Sequence, residues 1–367
     1  MLLILTEKPS AARNFEKALG KASYNGEEFK IVAARGHLLR FCQPENQVNK
    51  NLSERYKKWS LTTIPWDISD IKWRKEIIPG CKDVLQNIKK EMSDVSEVVI
   101  ATDVDPSGEG ELLAWEILLY CKWRGNTSRM YFADESPKSI QKAFVERKQI
   151  RRENDGDYYK GETRSRWDFL SMQFTRIATC IARQKGFNTV VRQGRLKSVM
   201  VYLVGEQLKA IKEYKKVPFY EVRFKDENGN VFSRKTEKDD ENKFRFSNKM
   251  EVNLNDFLVG KVILDSKTKK STPPGKLLDL AGLSAILATK GYKPKEILDT
   301  YQKMYEDQIV SYPRTEDKKI TLEQFNEMLP LIDDIADVVG IDKNLLTHRI
   351  SRKTHIAEGC AHGANRP

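Results

Sequence analysis

The 367-residue chain has few cysteines, and they are widely scattered. No Cys-x-x-Cys pair occurs among Cys42, Cys81, Cys121, Cys180 and Cys360, so neither a disulfide framework nor a zinc ribbon is predicted. No apolar run reaches the roughly 18 residues that span a bilayer, and the amino terminus lacks the basic region that begins a signal peptide. These absences predict a chain with no membrane partner, placed in the cytoplasm.

The loop that holds ATP phosphates is also absent, since no Gly-x-x-x-x-Gly-Lys-[Ser/Thr] segment occurs. Charge, by contrast, is plentiful: 64 Lys and Arg against 52 Asp and Glu give a formal net charge of +12. Such a balance favours an anionic partner, with nucleic acid ahead of an anionic membrane surface. Apolar residues make up 40% of the chain, which is enough for folded domains, and the length predicts roughly two to four of them.

Short apolar runs alternate with amphipathic stretches in the first part of the chain. Strands are predicted at 2–6, 29–34, 97–101 and 129–132, and helices at 9–19, 80–92, from Gly110, and 136–145. This alternation predicts a mostly parallel sheet, which binds ligands at the carboxyl ends of its strands. Glu7 and Asp103 each follow a predicted strand, so both are expected at that edge.

The remainder of the chain has a different pattern. Long helices are predicted at 158–184 and 195–214, followed by short β runs at 219–224, 231–232 and 262–264. Thr272-Pro273-Pro274-Gly275 marks a boundary. Beyond it we predict helices at 277–290, at 294–307 and from Thr321, with an extended piece at 309–314.

An acidic cluster, Asp103-Val104-Asp105-Pro106-Ser107-Gly108-Glu109-Gly110-Glu111, follows the apolar run 98–101. Hard cations such as Mg²⁺ take oxygen ligands, and two aspartates two positions apart on a loop can turn toward one ion. Glu7, from the neighbouring strand, could add a third carboxylate or relay a proton. The alternative is a solvated loop before a helix amino terminus, where acids are favoured.

The string Ser311-Tyr312-Pro313-Arg314-Thr315 is a second feature with possible chemistry. In extended backbone Tyr312 and Arg314 lie on one side, and Pro313 fixes the backbone between them. A tyrosine with an ordinary pKa near ~10 is a poor nucleophile at neutral pH unless cations and a metal-bound phosphate assist it. A tyrosine packed at a domain boundary beside a surface arginine is the alternative.

Taken in order, Glu7-Lys8-Pro9-Ser10, the acidic cluster and the Tyr312 string resemble the type IA DNA topoisomerases, in particular the topoisomerase III branch. The strand and glycines around the acidic cluster resemble the Toprim domain. Gln193-Gly194-Arg195-Leu196-Lys197-Ser198 is similar to the family's Gly-Arg-x-Gln-[Ser/Thr] run, with Lys197 in place of Gln. Residues 361–367, which include His362, resemble the His-x-Ala-Ile-x-Pro run.

The resemblance implies a multidomain fold of α/β and α character. It consists of a parallel-sheet Toprim domain at 1–152, the first part of a helical base at 153–216, the outbound part of a β arch at 217–272 and an incomplete helical tyrosine domain at 273–367. On this reading the chain stops before the return path of the arch, either as a fragment or as a short member of the family.

The resemblance also implies roles for individual residues. Catalytic roles fall to Glu7, Lys8, Tyr312, Arg314 and His362; Mg²⁺ binding falls to Glu7, Asp103, Asp105 and Glu109; DNA contacts fall to Lys8, Arg195, Lys197 and Arg314. The acidic loop is two residues longer than the family's Asp-x-Asp-x-Glu pattern, so whether Glu109 or Glu111 binds the metal stays open. Arg164 and Asp168, four apart on one predicted helix, are expected to pair.

The implied function is that of an ATP-independent, Mg²⁺-dependent isomerase. Tyr312 would cleave and rejoin single-stranded or underwound duplex DNA through a 5′-phosphotyrosine link. Two alternatives remain: a Toprim-type nuclease or primase that uses the metal without the tyrosine, and a non-catalytic single-stranded DNA-binding remnant of a topoisomerase.

Overall fold

The structure, a computed structural model, describes residues 1–233, 245–257, 260, 263–264, 266–358, 360 and 362–367. These residues form two compact units, Met1–Gly194 with Pro274–Pro367, and Arg195–Pro273. The strands are β1 Leu2–Thr6, β2 Ser23–Tyr24, β3 Glu27–Ala33, β4 Leu39–Phe41, β5 Lys75–Ile77, β6 Glu97–Ala101, β7 Asn126–Arg129, β8 Lys148–Gln149, β9 Phe224–Lys225 and β10 Val231–Phe232. The helices are α1 Pro9–Leu19, α2 Lys50–Lys57, α3 Lys82–Glu91, α4 Glu109–Cys121, α5 Pro137–Val145, α6 Gly156–Gln184, α7 Lys197–Glu213, α8 Leu280–Ala288, α9 Pro294–Glu306, α10 Leu322–Met328 and α11 Ile332–Val339. Among the helices of these described residues, none is both long and apolar enough to cross a lipid bilayer.

A six-stranded sheet in the order β2-β3-β1-β6-β7-β8 lies in the first unit. Strands β3, β1, β6 and β7 run parallel, whereas β2 and β8 pair antiparallel at the two edges. In this register Ile4 of β1 lies beside Ile31 of β3 on one side and Val99 of β6 on the other. The predicted parallel-sheet α/β fold is therefore confirmed for this region.

Helices cover both faces of the sheet. Successive side chains of β1 point to opposite faces, and all of them are buried. Leu3 and Leu5 pack in a core with Leu85 of α3 and Leu113 of α4. Leu2 and Ile4 belong to the core on the opposite face, which includes residues of α1 and α5. Each fully buried side chain of this size contributes about 1.5–3 kcal/mol to folding. Burial on both faces explains why the strand sequence is continuously apolar.

The long helix predicted at 158–184 is confirmed as α6. Its amino terminus is capped by the Asp155 carboxylate, which accepts hydrogen bonds from the backbone of Asp157 and Tyr158. Phe169 of α6 packs in a separate core with Trp66 and other side chains from the segment between β4 and β5. This helix therefore packs against the largely aromatic core formed by the segment between β4 and β5.

Helices α8 to α11 follow the Pro-rich boundary in the same unit. The helix predicted from Thr321 is confirmed as α10, with Thr321 and Gln324 forming a reciprocal capping box. The second unit contains α7 and the antiparallel pair β9–β10. Its predicted strand at 231–232 is confirmed as β10.

One predicted strand is displaced in the structure, and another forms only in part. The strand expected at 129–132 runs from Asn126 to Arg129, because β7 pairs with β6 through residues that are polar rather than apolar. Ser128 and Arg129 are buried there by bonding to the Glu97 and Glu111 carboxylates. The run 219–224 forms only a bridge at Tyr220 and the first residue of β9. Of the run 262–264, Val262 lies outside the described residues.

Candidate active site

The parallel register brings the residues after β1 and β6 together. Thr6 ends β1 directly beside Ala101, which ends β6, so the following residues meet at one sheet edge. The Lys8 ammonium lies 3.7 Å from Asp103 Oδ2, and the Asp103 side chain is buried. The structure thus unites Glu7, Lys8 and Asp103, as the strand-end argument predicts.

Negative charge is concentrated at this edge. The pKa of Glu7 is raised to about 7, because burial disfavours the charged carboxylate and Asp103 repels it. That rise in pKa is opposed by the charge of Lys8, by a backbone hydrogen bond from Asp103 and by the charge of Arg314. Glu7 therefore takes up or releases a proton near neutral pH, which an ordinary glutamate does not.

Tyr312 lies next to these carboxylates and is buried, with 4% of its surface exposed. Its ring packs edge-on against Tyr305, with ring centres 5.4 Å apart, and its other neighbour is His362, at 4.5 Å between ring centres. Burial, followed by the charge of Asp103, raises the pKa of Tyr312 far above its usual range, while Arg314 opposes the shift. The hydroxyl is therefore protonated in this arrangement.

His362 links the tyrosine region to the sheet edge. Its Nδ1 lies 2.8 Å from the Ala133 carbonyl, and its Nε2 contacts the Val104 carbonyl between the two aspartates. The backbone N–H of His362 donates to Asp317 Oδ2 over 3.2 Å. The imidazole is therefore fixed between the loops that follow β6 and β7, with Tyr312 against its face.

Arg314 is exposed, unlike Tyr312, yet its positive charge acts on both Tyr312 and Glu7. The backbone around these residues is fixed by reciprocal bonds between Ser311 and Arg366: the Ser311 N–H donates to the Arg366 carbonyl over 2.9 Å, and the Arg366 N–H donates to Ser311 Oγ over 3.0 Å. The Arg366 guanidinium in turn lies 3.1 Å from Asp134. The Tyr312 segment is thus attached to the loop after β7.

The two glutamates of the acidic loop have different partners. Glu109 is paired with Arg164 at 3.0 Å and with His37 at 3.5 Å. The His37 hydrogen bond lowers the pKa of Glu109 to about 2; burial opposes this shift, and the Arg164 charge adds to it. Glu111 forms an ion pair with Arg129 at 2.7 Å, in which both side chains are almost fully buried. Burial raises the pKa of Glu111, while Arg129 opposes the shift.

The fit of this region to a metal ion depends on these pairings. In the described ranges, no group of three or more His, Cys, Asp and Glu side chains is arranged as a metal site. Glu7, Asp103 and Asp105 offer oxygen donors of the kind that Mg²⁺ takes, and their charges act together on Tyr312. Glu109 fits less well, because its carboxylate is already engaged by Arg164 and His37.

The remaining predicted residues lie on α6, on α7 or just before α7. Arg164 of α6 reaches Glu109 and the Ser107 hydroxyl, and Asp168, one turn later, lines the same small cavity as Arg164 and His37. Lys197 is the first residue of α7, and Arg195 precedes it, both in the second unit. Their proposed DNA contacts stay predictions.

Three residues in this region were not predicted from the sequence. His37, whose pKa is raised to about 9 by Glu109 and then Glu116, follows β3, the parallel neighbour of β1. Its position after a strand end was a usable signal. Asp317 accepts the backbone N–H groups of His362 and Gly363. Glu135 is buried, which raises its pKa, and it accepts a 2.6 Å hydrogen bond from Asn14. No local sequence pattern indicated a role for Asp317 or Glu135.

Close backbone approach holds the acidic loop against α6. A Cβ at Gly161 would lie 2.4 Å from the Gly108 carbonyl, and Gly108 itself has a φ of +72°. On the same helix Gly156 has nothing within 4 Å of its Cβ position. Gly161 is therefore required for contact between the loop and the helix, whereas Gly156 is not.

Gly161→Ala is expected to destabilise the protein, because the steric cost of about 1–3 kcal/mol exceeds the gain of up to about 1 kcal/mol in helix propensity. Gly156→Ala is the matched control and should be neutral or slightly stabilising. Thermal unfolding followed by circular dichroism measures both. Equal midpoints for the two variants would contradict the close approach at Gly161.

Comparison with known proteins supplies the family. The DNA topoisomerase family matches residues 152–367, and the Toprim domain matches residues 2–134. DNA topoisomerase 1 of Alkalihalophilus pseudofirmus is 29% identical over 350 residues, covering 89% of this chain and 48% of that protein. DNA topoisomerase 3 of Bacillus cereus is 28% identical over 339 residues, covering 87% of this chain and 43% of that protein. The chain thus spans about half the length of the curated relatives it matches.

A solved structure agrees with this match at the level of the fold. The full-length topoisomerase I from Thermotoga maritima superposes with a TM-score of 0.60 at 19% identity, covering all of this chain and 55% of that one. The family match extends over more than half of the present chain and includes Tyr312 and His362. The chain therefore belongs to the DNA topoisomerase family.

Proposed function

We propose that this chain cuts and rejoins one DNA strand through Tyr312, in the manner of a type IA DNA topoisomerase. One observation carries the proposal: the Tyr312 ring lies against His362, whose ring nitrogens reach the carbonyls of Val104 and Ala133. The tyrosine is thereby adjacent to Asp103 and Glu7. A hydroxyl nucleophile, carboxylates and cations lie within one site, which suits phosphoryl transfer.

In the proposed cleavage step, Tyr312 Oη attacks phosphorus and forms a new O–P bond. The bond from phosphorus to the 3′ oxygen breaks, so the phosphate links Tyr312 to the 5′ oxygen of the downstream part of the cut strand. The upstream part of the same strand then ends in a 3′-hydroxyl. The tyrosine must lose a proton and the leaving oxygen must gain one. Before a cation binds there, Glu7, with a pKa of about 7, is suited to move a proton at neutral pH. Rejoining is the reverse reaction, and it needs no ATP because the phosphotyrosine bond is exchanged for a phosphodiester.

Cations at the site are proposed to bind the phosphate. Lys8 follows Glu7 and lies 5.6 Å from the centre of the Tyr305 ring, next to the tyrosine pair. Arg314 lowers the otherwise raised pKa of Tyr312, so it favours loss of the hydroxyl proton. An arginine can also contact two phosphate oxygens at once. Arg195 and Lys197 are proposed to contact DNA phosphates.

Mg²⁺ is the proposed cofactor, held by Glu7, Asp103 and Asp105. When bound, the ion would neutralise phosphate charge and align the 3′-hydroxyl for rejoining. The raised pKa of Glu7 supports this, because a carboxylate that is buried and repelled by Asp103 gains from a nearby cation. Glu109 is proposed to act instead through its pairing with Arg164 and His37, which fixes the start of α4.

Asp103→Ala and Asp105→Ala are expected to weaken Mg²⁺-dependent rejoining more than cleavage. The loss should exceed the roughly 10-fold effect of removing an outer-shell partner, because these side chains are the proposed ligands. Cleaved and resealed oligonucleotide are measured after Mg²⁺ addition, with Glu109→Gln as the comparison. Equal rejoining in Mg²⁺ and in EDTA would remove the metal from the mechanism.

The direct test of the proposed function is an adduct assay on single-stranded oligonucleotide carrying a label at one end. A 5′-phosphotyrosine link retains the 3′ part of the strand, so label at the 3′ end should travel with denatured protein. Label at the 5′ end should be released in a shorter fragment. A Toprim-type nuclease would release both fragments without protein, and a non-catalytic remnant would leave the strand intact; either result rejects the proposal.

Binding is expected to prefer single strands, including those exposed in underwound duplex DNA, and to weaken with salt. The net charge of +12 supports contacts to several phosphates. Counterion release then gives a slope of roughly −0.7 in log affinity against log salt for each phosphate neutralised. Fluorescence anisotropy with matched single- and double-stranded oligonucleotides measures both properties. Salt-independent binding, or a preference for intact duplex, would indicate another class of ligand.

A cytoplasmic location stays a prediction.

A further inference from the structure

An open cavity of about 880 Å³ lies at the β8 edge of the sheet. The end of α4, the loop between α4 and β7, and the segment that follows β8 line it. Its lining side chains are a different set from those around Tyr312, so the proposed cleavage chemistry does not account for it. We name it the edge groove.

Charge in the edge groove is predominantly positive. Arg124, Lys148, Arg151 and Arg152 line it, together with the carboxylate of Glu153. Glu153 pairs with Arg152 at 3.2 Å. The lining thus holds four cations against one carboxylate, which suits an anion that carries more than one charge. A polyanion is therefore the kind of ligand that this lining suits.

Two aromatic rings line the groove, one half-exposed beside a buried guanidinium and the other held by a hydrogen bond and by packing against the core. Tyr131 is 47% exposed, and the buried Arg129 guanidinium lies 5.3 Å from its ring centre. The Trp123 Nε1 group donates to the Thr127 hydroxyl over 3.2 Å. The Trp123 ring also covers Gly125, where a Cβ would lie 2.3 Å from a ring atom. Fixed rings lose little conformational entropy when another flat group stacks on them.

Cations interleaved with fixed aromatic faces are the combination that holds single-stranded nucleic acid, since phosphates meet the cations and bases stack on the rings. We propose that the edge groove binds a stretch of single-stranded DNA separate from the stretch at Tyr312. This inference rests on the proposed function for the identity of the strand, but its residues and its test are separate. The groove would hold a part of the cut strand outside the segment at Tyr312.

The first test compares two double variants with equal changes in net charge. Lys148→Glu with Arg151→Glu alters the groove, whereas Lys82→Glu with Lys90→Glu alters exposed lysines of α3. The groove variant should bind a long oligonucleotide about tenfold or more weakly, and the slope of log affinity against log salt should fall by about 1.4. The control should change affinity little. Equal losses in the two variants would overturn the inference.

The second test locates the contact directly. Oligonucleotides containing 5-iododeoxyuridine are photo-crosslinked to the chain, and the modified peptides are identified by mass spectrometry. Crosslinks at Tyr131 or Trp123 are expected; they should persist at residue 131 in Tyr131→Phe, which keeps the ring, and disappear there in Tyr131→Ala. Crosslinks confined to the surroundings of Tyr312 would overturn the groove.

Running the adduct assay in parallel separates the two proposals. A Tyr312 adduct without groove crosslinks rejects the edge groove and leaves the proposed function intact. Groove crosslinks without any adduct support the groove and reject the proposed cleavage. Competition by polyglutamate as strong as that by the oligonucleotide would indicate an acidic protein as the ligand and overturn the assignment to DNA.

Discussion

Replacing Tyr312 by phenylalanine is expected to abolish the covalent protein–DNA adduct and to change single-strand affinity by less than about twofold. The substitution removes only the hydroxyl, which is the proposed nucleophile, and keeps the ring packed between Tyr305 and His362. Binding, by contrast, is spread over many cations. Adduct formation is measured by label retained on denatured protein, and affinity by anisotropy on the same oligonucleotide.

Tyr301→Phe is the matched control for this substitution. Tyr301 is another buried tyrosine, and it lies on α9 one turn before Tyr305. Losing its hydroxyl should leave adduct formation at the parental level. Adducts that survive denaturation in Tyr312→Phe would show that another residue is the nucleophile, and adducts lost equally in both variants would indicate general damage to this region.

The protonated state of Tyr312 imposes a requirement on the reaction. Burial and the charge of Asp103 hold the hydroxyl proton in the structure as it stands, while Arg314 acts in the opposite direction. Cleavage therefore needs positive charge at the carboxylates, or a proton acceptor near the hydroxyl, when DNA is bound. This is the physical reason for placing the tyrosine beside Glu7, Lys8 and Asp103 rather than on an open surface.

The sequence predicted the meeting of Glu7, Lys8 and Asp103 because strand ends are readable from apolar runs and parallel strands share an edge. It did not predict what Glu109 and Glu111 contact. On a helix, residues two apart project in nearly opposite directions, so these glutamates could not both face one ion. The sequence alone therefore shows that Glu109 and Glu111 point in different directions. Which of the two faces the aspartates depends on how α4 packs.

The partners of His37 and Arg129 were beyond the reach of the sequence for a different reason. The sequence predicted a strand that begins at Arg129. The Arg129 guanidinium is buried there only because Glu111, eighteen residues earlier, turns inward to meet it. His37 contacts Glu109 and Glu116 across 72 and 79 residues. Long-range polar contacts leave no local periodicity, whereas apolar strands and capped helices do.

Glu111→Gln is expected to destabilise the fold by about 3–5 kcal/mol, because it leaves the Arg129 charge buried without a counter-charge. Both side chains of this pair are almost completely removed from solvent, so screening by water does not weaken the effect. Glu109→Gln, which changes a half-exposed ion pair with Arg164, should cost no more than about 1 kcal/mol. Denaturant unfolding followed by circular dichroism measures the free energy of unfolding for both variants.

The double variant Arg129→Met with Glu111→Leu separates the buried charge from the rest of the contact. Removing both charges should recover part of the stability lost in Glu111→Gln, since no unpaired charge remains. Recovery should be incomplete, because the Arg129 guanidinium also donates to the carbonyls of Thr102, at 2.7 Å, and Asp103, at 3.2 Å. These carbonyls belong to the loop that carries the proposed metal ligands, so the double variant should also form less adduct at Tyr312 than the parent. Parental stability in Glu111→Gln would show that the buried pair does not hold this loop, and Glu111 would then return as a candidate ligand beside Asp103.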